Sequence, residues 1–523
     1  MINKHRLPRF DYKARNDNLK EFFNREFNLI FLLIILVELI SFAGYFSFLV
    51  SAIAFFVLAI LTLIVSFYRL EYGLAILLAE LFIGSMGYLF SFSFNGTNIS
   101  LRIILWLIVM SVWFGKMIFA WIKNKKLNIV FCKSSFFKYF VILFIFIVLG
   151  IVNGFINHNQ FKNIFFDFNA WLYFLLIFPV YEVLQQEKNI KLIGQVFVAS
   201  SIWLVLETLF LFFAFSHNLI IAPFTLYYWI RNTRIGEITM IAGGFPRIFL
   251  QSQIFVLTGF FFVSMILSRL IINKELRQNL KLVVINFVLL ILFLTTILIS
   301  FSRSFWLGLI GGVLICWLIW LLIIKIKFKQ FLLINCWWLL VAIVSVILMI
   351  VIAKFPYPSS TNNFNAVDIL SNRASQFTGE AGASSRWALL PKLWTKIIKE
   401  PIIGQGFGAT VTYQTKDPRV LKINPSGEYT TYAFEWGWLD VWLKLGLFGL
   451  LAYLAIIAKI SITSYKLMLR KQNWLIFGLT IGLLIITIVN LSSPYANHPL
   501  GIGFLVLTTA LIDYFYQYKN SLA

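Results

Sequence analysis

SSRWALLPKLWTKIIKEPIIGQGFG (Ser384–Gly408) and TTYAFEWGWLDVWLKLGLFG (Thr430–Gly449) mark the one place where a chain of membrane-length apolar segments turns polar for long enough to fold outside a bilayer. The polar stretch runs from Lys354 to about Thr430 and then re-enters apolar sequence. Arg, Lys, Glu and Gly therefore meet at a lipid boundary. Charged groups there are costly, so this junction is where chemistry is to be sought.

The sequence around it is 60% hydrophobic and 12% charged, against roughly 25% charged residues in a soluble domain. No soluble core could absorb that much apolar surface, so the fold class is an all-α polytopic membrane protein. A span takes roughly 20 apolar residues, and about fourteen segments qualify: 28–45, 48–67, 73–93, 101–121, 138–156, 165–184, 193–215, 248–271, 281–300, 304–324, 331–352, 433–458, 474–491 and 500–516. The break between the first two rests on a very tight turn near Gly44 and Tyr45, without which the count would be thirteen.

Lys and Arg near span ends resist translocation. They cluster in the N-terminal segment (Lys4, Arg6, Arg9, Lys13, Arg15, Lys20, Arg25) and in every second connection after it: Arg69, Lys123/Lys125/Lys126, Lys188/Lys191, Lys274/Arg277, Lys325/Lys327/Lys329 and Lys459/Lys466/Arg470/Lys471. The expected organisation is a cytoplasmic segment 1–27, helices 28–353, a large extracytoplasmic loop 354–432, three last helices 433–516 and a cytoplasmic tail 517–523. The first span follows a long basic segment with no small-residue cleavage site, and reads as a retained helix. The net charge of +23 is mostly this topology signal, so nucleic acid is not an expected partner; membrane lipids are. Cys132, Cys316 and Cys336 read as small buried hydrophobes with no disulfide or metal framework.

On the outward face the short connections keep few cations, and most are arginine: Arg231, Arg234, Arg247 and Arg303, with Arg102 just inside a span. The fixed guanidinium fork suits bidentate phosphate contacts. Arg247 and Arg303 read as entering apolar helices. In the long loop, Trp387, Leu390, Trp394 and Ile397/Ile398 recur at helical spacing opposite Lys392, Lys396 and Lys399, which predicts an amphipathic surface helix kinked or split at Pro391. Ser384 and Ser385 are candidate N-caps, which would place Arg386 beside a helix N-terminus that favours anions.

Gly404, Gly406 and Gly408 lack the strand-then-helix surroundings of a nucleotide-binding turn and read as a tight corner closing over a site. Glu435 lies at the re-entry, followed by Trp436, Trp438 and Asp440; a carboxylate at membrane depth is expected to have a raised pKa, which suits a general base. A salt bridge to an outer arginine is the competing role. His158, His217 and His498 fall on the outer side without metal-ligand spacing, and no metal or other cofactor is expected.

Four features carry a family resemblance: SFSRSFWLG (Ser300–Gly308) before the large loop, Arg386 with a Trp-bearing helix, the P-x-x-G-x-G-x-G turn at Pro401–Gly408, and G-L-F-G at Gly446–Gly449. Together and in this order they resemble the O-antigen ligase and O-antigen polymerase superfamily of bacterial cell-surface polysaccharide assembly. Many members carry His-Asn eleven residues before the first Gly of that last motif; here the position is Glu435-Trp436. The resemblance implies a GT-C-like fold in the bacterial inner membrane and metal-independent, inverting glycosyl transfer. The donor would be a polyprenyl-pyrophosphate-linked glycan, and the acceptor a glycan or glycolipid hydroxyl.

In that scheme Arg247, Arg303 and Arg386 stabilise the pyrophosphate leaving group and Glu435 takes the acceptor proton. Arg231, Arg234, Trp387, Lys392, Trp436 and Trp438 would bind substrate. Fourteen spans, two sizeable outer loops and the missing histidine favour a polymerase of repeat units over a ligase. A lipid-linked oligosaccharide flippase and a protein O-oligosaccharyltransferase are rivals, the flippase disfavoured by the apparent scarcity of charge inside the spans.

Overall fold

The computed structural model describes residues 21–94, 96–125, 129–241, 244–358, 381–470 and 474–520. The basic residues from Lys4 to Lys20, Lys126 and Lys471 lie outside them, as does 359–380 of the large loop. Among the described residues, twelve helices are long and apolar enough to cross a membrane, from Arg25–Phe46 to Pro499–Gln517. The chain is an all-α polytopic membrane protein. The tight first break falls at Ser47, whose extended backbone ends Arg25–Phe46 and starts Phe48–Tyr68.

Two of the fourteen expected spans are shorter helices, Leu70–Ile83 and Trp474–Val489. At a 1.5 Å rise, 14 residues cover only about 21 Å. The first is cut short because the guanidinium of Arg102 gathers the turn beyond it, donating to the Ser85 carbonyl at 2.6 Å and to Glu80 Oε2 at 2.8 Å. The chain then forms a hairpin, Ser91–Phe94 against Thr97–Ser100.

The centre of the bundle is the Gln253–Ile272 helix, with 83% of its apolar window buried, against 17% for each of the first two helices. Its neighbours are Leu280–Ile299 and Trp474–Val489. Interior charge is not scarce, contrary to the sequence reading. Glu38, Glu80, Arg102, Glu207, Asp440, Lys444 and Asp513 are all buried. Arg102 pairs with Glu80, and Lys444 with Asp167 and Asp440. Desolvated charges need such partners.

At one end of the bundle a second, smaller core forms. The Ala381–Lys399 helix, the hairpin of Val411–Gln414 with Glu428–Thr431, and the start of the Gly437–Arg470 helix enclose Leu389, Leu393, Ile397, Val411, Phe434 and Leu443. Helix 381–399 is continuous through Pro391, which is exposed, so the carbonyl that the imide nitrogen leaves unbonded faces outward. The segment 217–252 contains the short helix Tyr227–Asn232 and a hairpin, Gly236–Ile241 with Phe245–Leu250. Arg247 is therefore on a strand, opposite Thr239, and not at the entry of a helix. The helix begins only at Gln253.

Candidate active site

The glycine turn at 401–408 clamps three parts of the chain together. Gly404 has φ +81°, and a Cβ there would sit 2.5 Å from the backbone nitrogen of Gly446. Gly446 itself breaks the Gly437–Arg470 helix at φ 70°, ψ 179°. Around this close approach, Gln405 N–H donates to Leu443 O (2.6 Å), Leu447 N–H to Pro401 O (2.9 Å) and the Trp442 indole to Pro401 O (2.8 Å). Only residues without a side chain let two backbones meet this way.

Three asparagines dock the other side of the turn. Asn153 Nδ2 donates to the Gly404 carbonyl, Asn157 Nδ2 to Gln405 O (3.2 Å), and Asn159 Nδ2 to Gln405 O (3.1 Å) and Phe407 O (2.9 Å). Beneath it, Gly408 N–H donates to Asp167 Oδ2 at 2.9 Å. Lys444 Nζ holds Asp167 Oδ1 and Asp440 Oδ1, each at 2.5 Å, and Asn497 Nδ2 donates to Asp440 Oδ2 at 2.7 Å. The turn, the re-entry helix and the 490–498 segment are thus one hydrogen-bonded unit.

On this platform stand Arg386 and Glu435, joined in an ion pair with side chains 35% and 49% exposed. The Trp436 indole donates to Arg386 O at 3.0 Å, and Trp387 packs edge-on against Trp436 at 5.5 Å between centroids. Glu435 therefore occupies a half-exposed, paired position and not the desolvated one expected from the sequence. Arg386 is not at a helix N-terminus either, because the helix starts five residues earlier at Ala381. Ser385 lies inside the helix, and its hydroxyl bonds Thr415.

Two further arginines, Arg247 and Arg303, meet at SFSRSFWLG, while Arg231 and Arg234 lie on the 227–234 segment. Arg247 Nε donates to the Ser300 carbonyl at 2.9 Å, and its guanidinium lies 5.1 Å from the Phe249 ring centroid. Arg303 opens the next helix, three residues on. Arg231 bonds the Tyr227 hydroxyl (2.7 Å), and Arg234 stacks over Tyr88 at 4.7 Å. The 490–498 segment reaches toward both groups: Asn497 Nδ2 donates to Gly437 O at 3.0 Å, while Tyr495 packs on Phe305 and feels the charge of Arg247.

Of the remaining expected substrate-binding residues, Lys392 is exposed on the outer side of its helix. Trp438 turns inward, donating to Thr487 O at 2.9 Å and packing on Tyr453. His217 lies between the Phe213 and Phe355 carbonyls, and burial followed by the charge of Arg102 pushes His498 down to about 3. Partial burial, with the Asp167 carboxylate nearby, raises the Tyr432 phenol above its usual range.

The sequence reading passed over Asn153, Asn157, Asn159, Asp167 and Lys444. A usable signal was present in part: Asp440 and Lys444 stand four residues apart inside an apolar span, the spacing of a helical ion pair.

Residues 288–454 match the family model described as O-antigen ligase. This interval includes SFSRSFWLG, helix 381–399, the glycine turn, Glu435 and Gly446. No curated protein sequence matches the chain.

Proposed function

We propose, from the match of residues 288–454 to the O-antigen ligase family model, that this chain is a polymerase of lipid-linked polysaccharide repeat units. It would act at the outer face of the bacterial inner membrane, with both termini cytoplasmic. The observation that carries the reading is the Arg386–Glu435 pair at the bundle end, half-exposed and braced by the Trp436 indole on the Arg386 carbonyl. A carboxylate and a guanidinium side by side provide the two things glycosyl transfer needs. One accepts the proton of the attacking hydroxyl. The other stabilises the departing pyrophosphate.

The acceptor hydroxyl oxygen attacks the anomeric carbon of the donor as its proton passes to Glu435. The bond from that carbon to the pyrophosphate oxygen breaks, and polyprenyl pyrophosphate leaves with inverted stereochemistry at the sugar. A guanidinium has five N–H donors, so Arg386 can hold Glu435 with one edge and phosphate oxygens with another. Arg247 and Arg303 supply further positive charge from the Ser300 side. With arginines meeting the developing charge, no divalent ion is required, and the reaction is metal-independent.

Fourteen helical segments, the loop unit and the replacement of the ligase-type histidine by Glu435 support the polymerase over the ligase. Deleting the gene tests this on a gel of surface glycans. Single repeat units on the surface are expected; long chains that accumulate undelivered would identify a ligase instead.

With purified chain and lipid-linked donor in EDTA, Arg247→Ala and Arg303→Ala are expected to lower transfer by about 10² or more, the usual scale for losing a transition-state donor. Lys at either position should restore only part of the rate, since the bidentate fork is lost. Full activity in both Ala variants would leave these arginines a lipid-anchoring role.

A further inference from the structure

Beside the glycine turn, on the side away from the pairing of Gly404 with Gly446, lies a half-open cavity of about 410 Å³, lined by residues 158–160, Asn163, Gly408, Thr410 and 430–432. This is within the size range of small-molecule sites, roughly 300–1,000 Å³. Its lining differs from the rest of the bundle end. Among the described residues no Lys or Arg side chain contributes, and the groups present are amides, hydroxyls, a phenol and an imidazole. The side chains of Gln160, Asn163, Thr410 and Tyr432 make no hydrogen bond within the described residues, so their donors and acceptors are open to a ligand.

The cavity floor is built and fixed. Gly408 has φ +77°, and a Cβ there would approach Ile164 N to 2.6 Å. Its N–H is held by Asp167, which is held in turn by buried Lys444. Asn159 is anchored through its amide to Gln405 and Phe407. Burying an ion network beneath a neutral polar cavity is costly, and the benefit of such rigidity is a preorganised site.

The chemistry of the lining selects the ligand. A phosphate needs cations, and among the described residues none lines the cavity, while Arg386, Arg247 and Arg303 lie elsewhere. An apolar tail needs hydrophobic walls, which are absent too. A ring bearing several hydroxyls fits: amides and threonines match its donors and acceptors, and Tyr432 offers an apolar face with a polar tip. Tyr432 is three residues before Glu435, at most about 11 Å of extended chain. A sugar seated here therefore lies within chain reach of the Arg386–Glu435 pair, while the walls that hold it are neutral.

We propose that this cavity is the acceptor-sugar subsite, which binds the terminal neutral sugar of the acceptor glycan and presents its hydroxyl to Glu435. The assignment rests on the glycosyl-transfer reading above, with the pyrophosphate end of the donor placed at the arginines. The acceptor sugar thus meets neutral walls, while the donor's pyrophosphate meets the arginines. That separation lets a membrane-held donor and a polymeric acceptor enter without competing.

The test uses the full chain in nanodiscs. The probe is the free oligosaccharide released by mild acid from the cells' own polyprenyl-linked glycan, and the readouts are saturation-transfer NMR and steady-state kinetics. Asn163→Leu and Gln160→Leu are expected to abolish the oligosaccharide signal or weaken it at least tenfold. Both should raise the acceptor KM at least tenfold, with kcat and donor KM within twofold of wild type. Gln160 is exposed on a connection and its side chain makes no hydrogen bond among the described residues, so this variant reports even where Asn163→Leu fails to fold.

An unchanged signal and acceptor KM in the folded variants overturns the proposal, as does a rise confined to the donor KM. Pocket-dependent binding by a wild-type chain that transfers no glycan would retain a sugar site and remove the polymerase reading. Transfer with no pocket-dependent binding would do the reverse.

Discussion

Glu435→Gln is expected to slow glycan transfer by roughly 10² to 10⁴, the usual contribution of general acid-base catalysis, with little change in fold or donor binding. Gln keeps the shape and one acceptor oxygen but cannot take the hydroxyl proton. The competing role for Glu435 is a structural ion pair with Arg386, and the geometry bounds what that role can contribute. The two side chains are 49% and 35% exposed, and pairs so open to solvent are worth about 0–1 kcal/mol. Loss of the pair alone therefore moves the melting temperature by a few degrees at most and leaves turnover near normal. Measuring thermal stability and rate on one preparation separates the two. Glu435→His should recover part of the rate lost in Glu435→Gln, because an imidazole is again a base at that position. A fully active Glu435→Gln would end the base assignment.

The fold was legible in the sequence where one long-range rule governs it. Apolar length alone located the twelve helices long enough to cross a bilayer and two shorter ones, because the bilayer leaves the backbone few alternatives. It failed at their ends. The run from 248 reads as helix, yet its first residues belong to the Phe245–Leu250 strand, since a short apolar run has no period that separates the two. Segment 73–93 ends early because Arg102, about twenty residues on, pulls the chain into a turn.

In the loop helix, the stripe of Trp387, Leu390 and Trp394 was placed one residue out of phase. The buried line is Leu389, Leu393 and Ile397, while Trp387 and Trp394 rest their edges on Trp436 and Trp442 and keep their outer faces exposed. Large indoles suit the rim of a small core better than its centre. The pairing of Arg386 with Glu435 was foreseeable as one of two roles for the carboxylate. The contact of Asp167 with Lys444 spans 277 positions, and no local pattern announces its partner.

That contact sets the second large effect. Lys444→Met should destabilise the protein by about 3–5 kcal/mol, the cost of leaving a buried ion without its partner. Here two carboxylates are stranded at once. Lys444 is 2% exposed at its side chain, Asp167 8% and Asp440 5%, so water cannot replace the ammonium without opening the packing. Neutralising the acids as well, in Lys444→Met/Asp167→Asn/Asp440→Asn, is expected to return most of the lost stability, since the amide oxygen at 167 can still accept from Gly408. Melting of the purified variants in one detergent decides the matter, and a single Lys444→Met variant as stable as wild type would mean that the two aspartates need no counter-charge. The recovered triple variant carries a further consequence. It keeps the fold but holds Gly408 by a neutral hydrogen bond, weaker than the charge-assisted one, so the acceptor KM should rise while the donor KM stays put. Stability and acceptor binding would then part company in one variant, as expected if the buried charges serve to fix the floor of the sugar site more than to hold the bundle together.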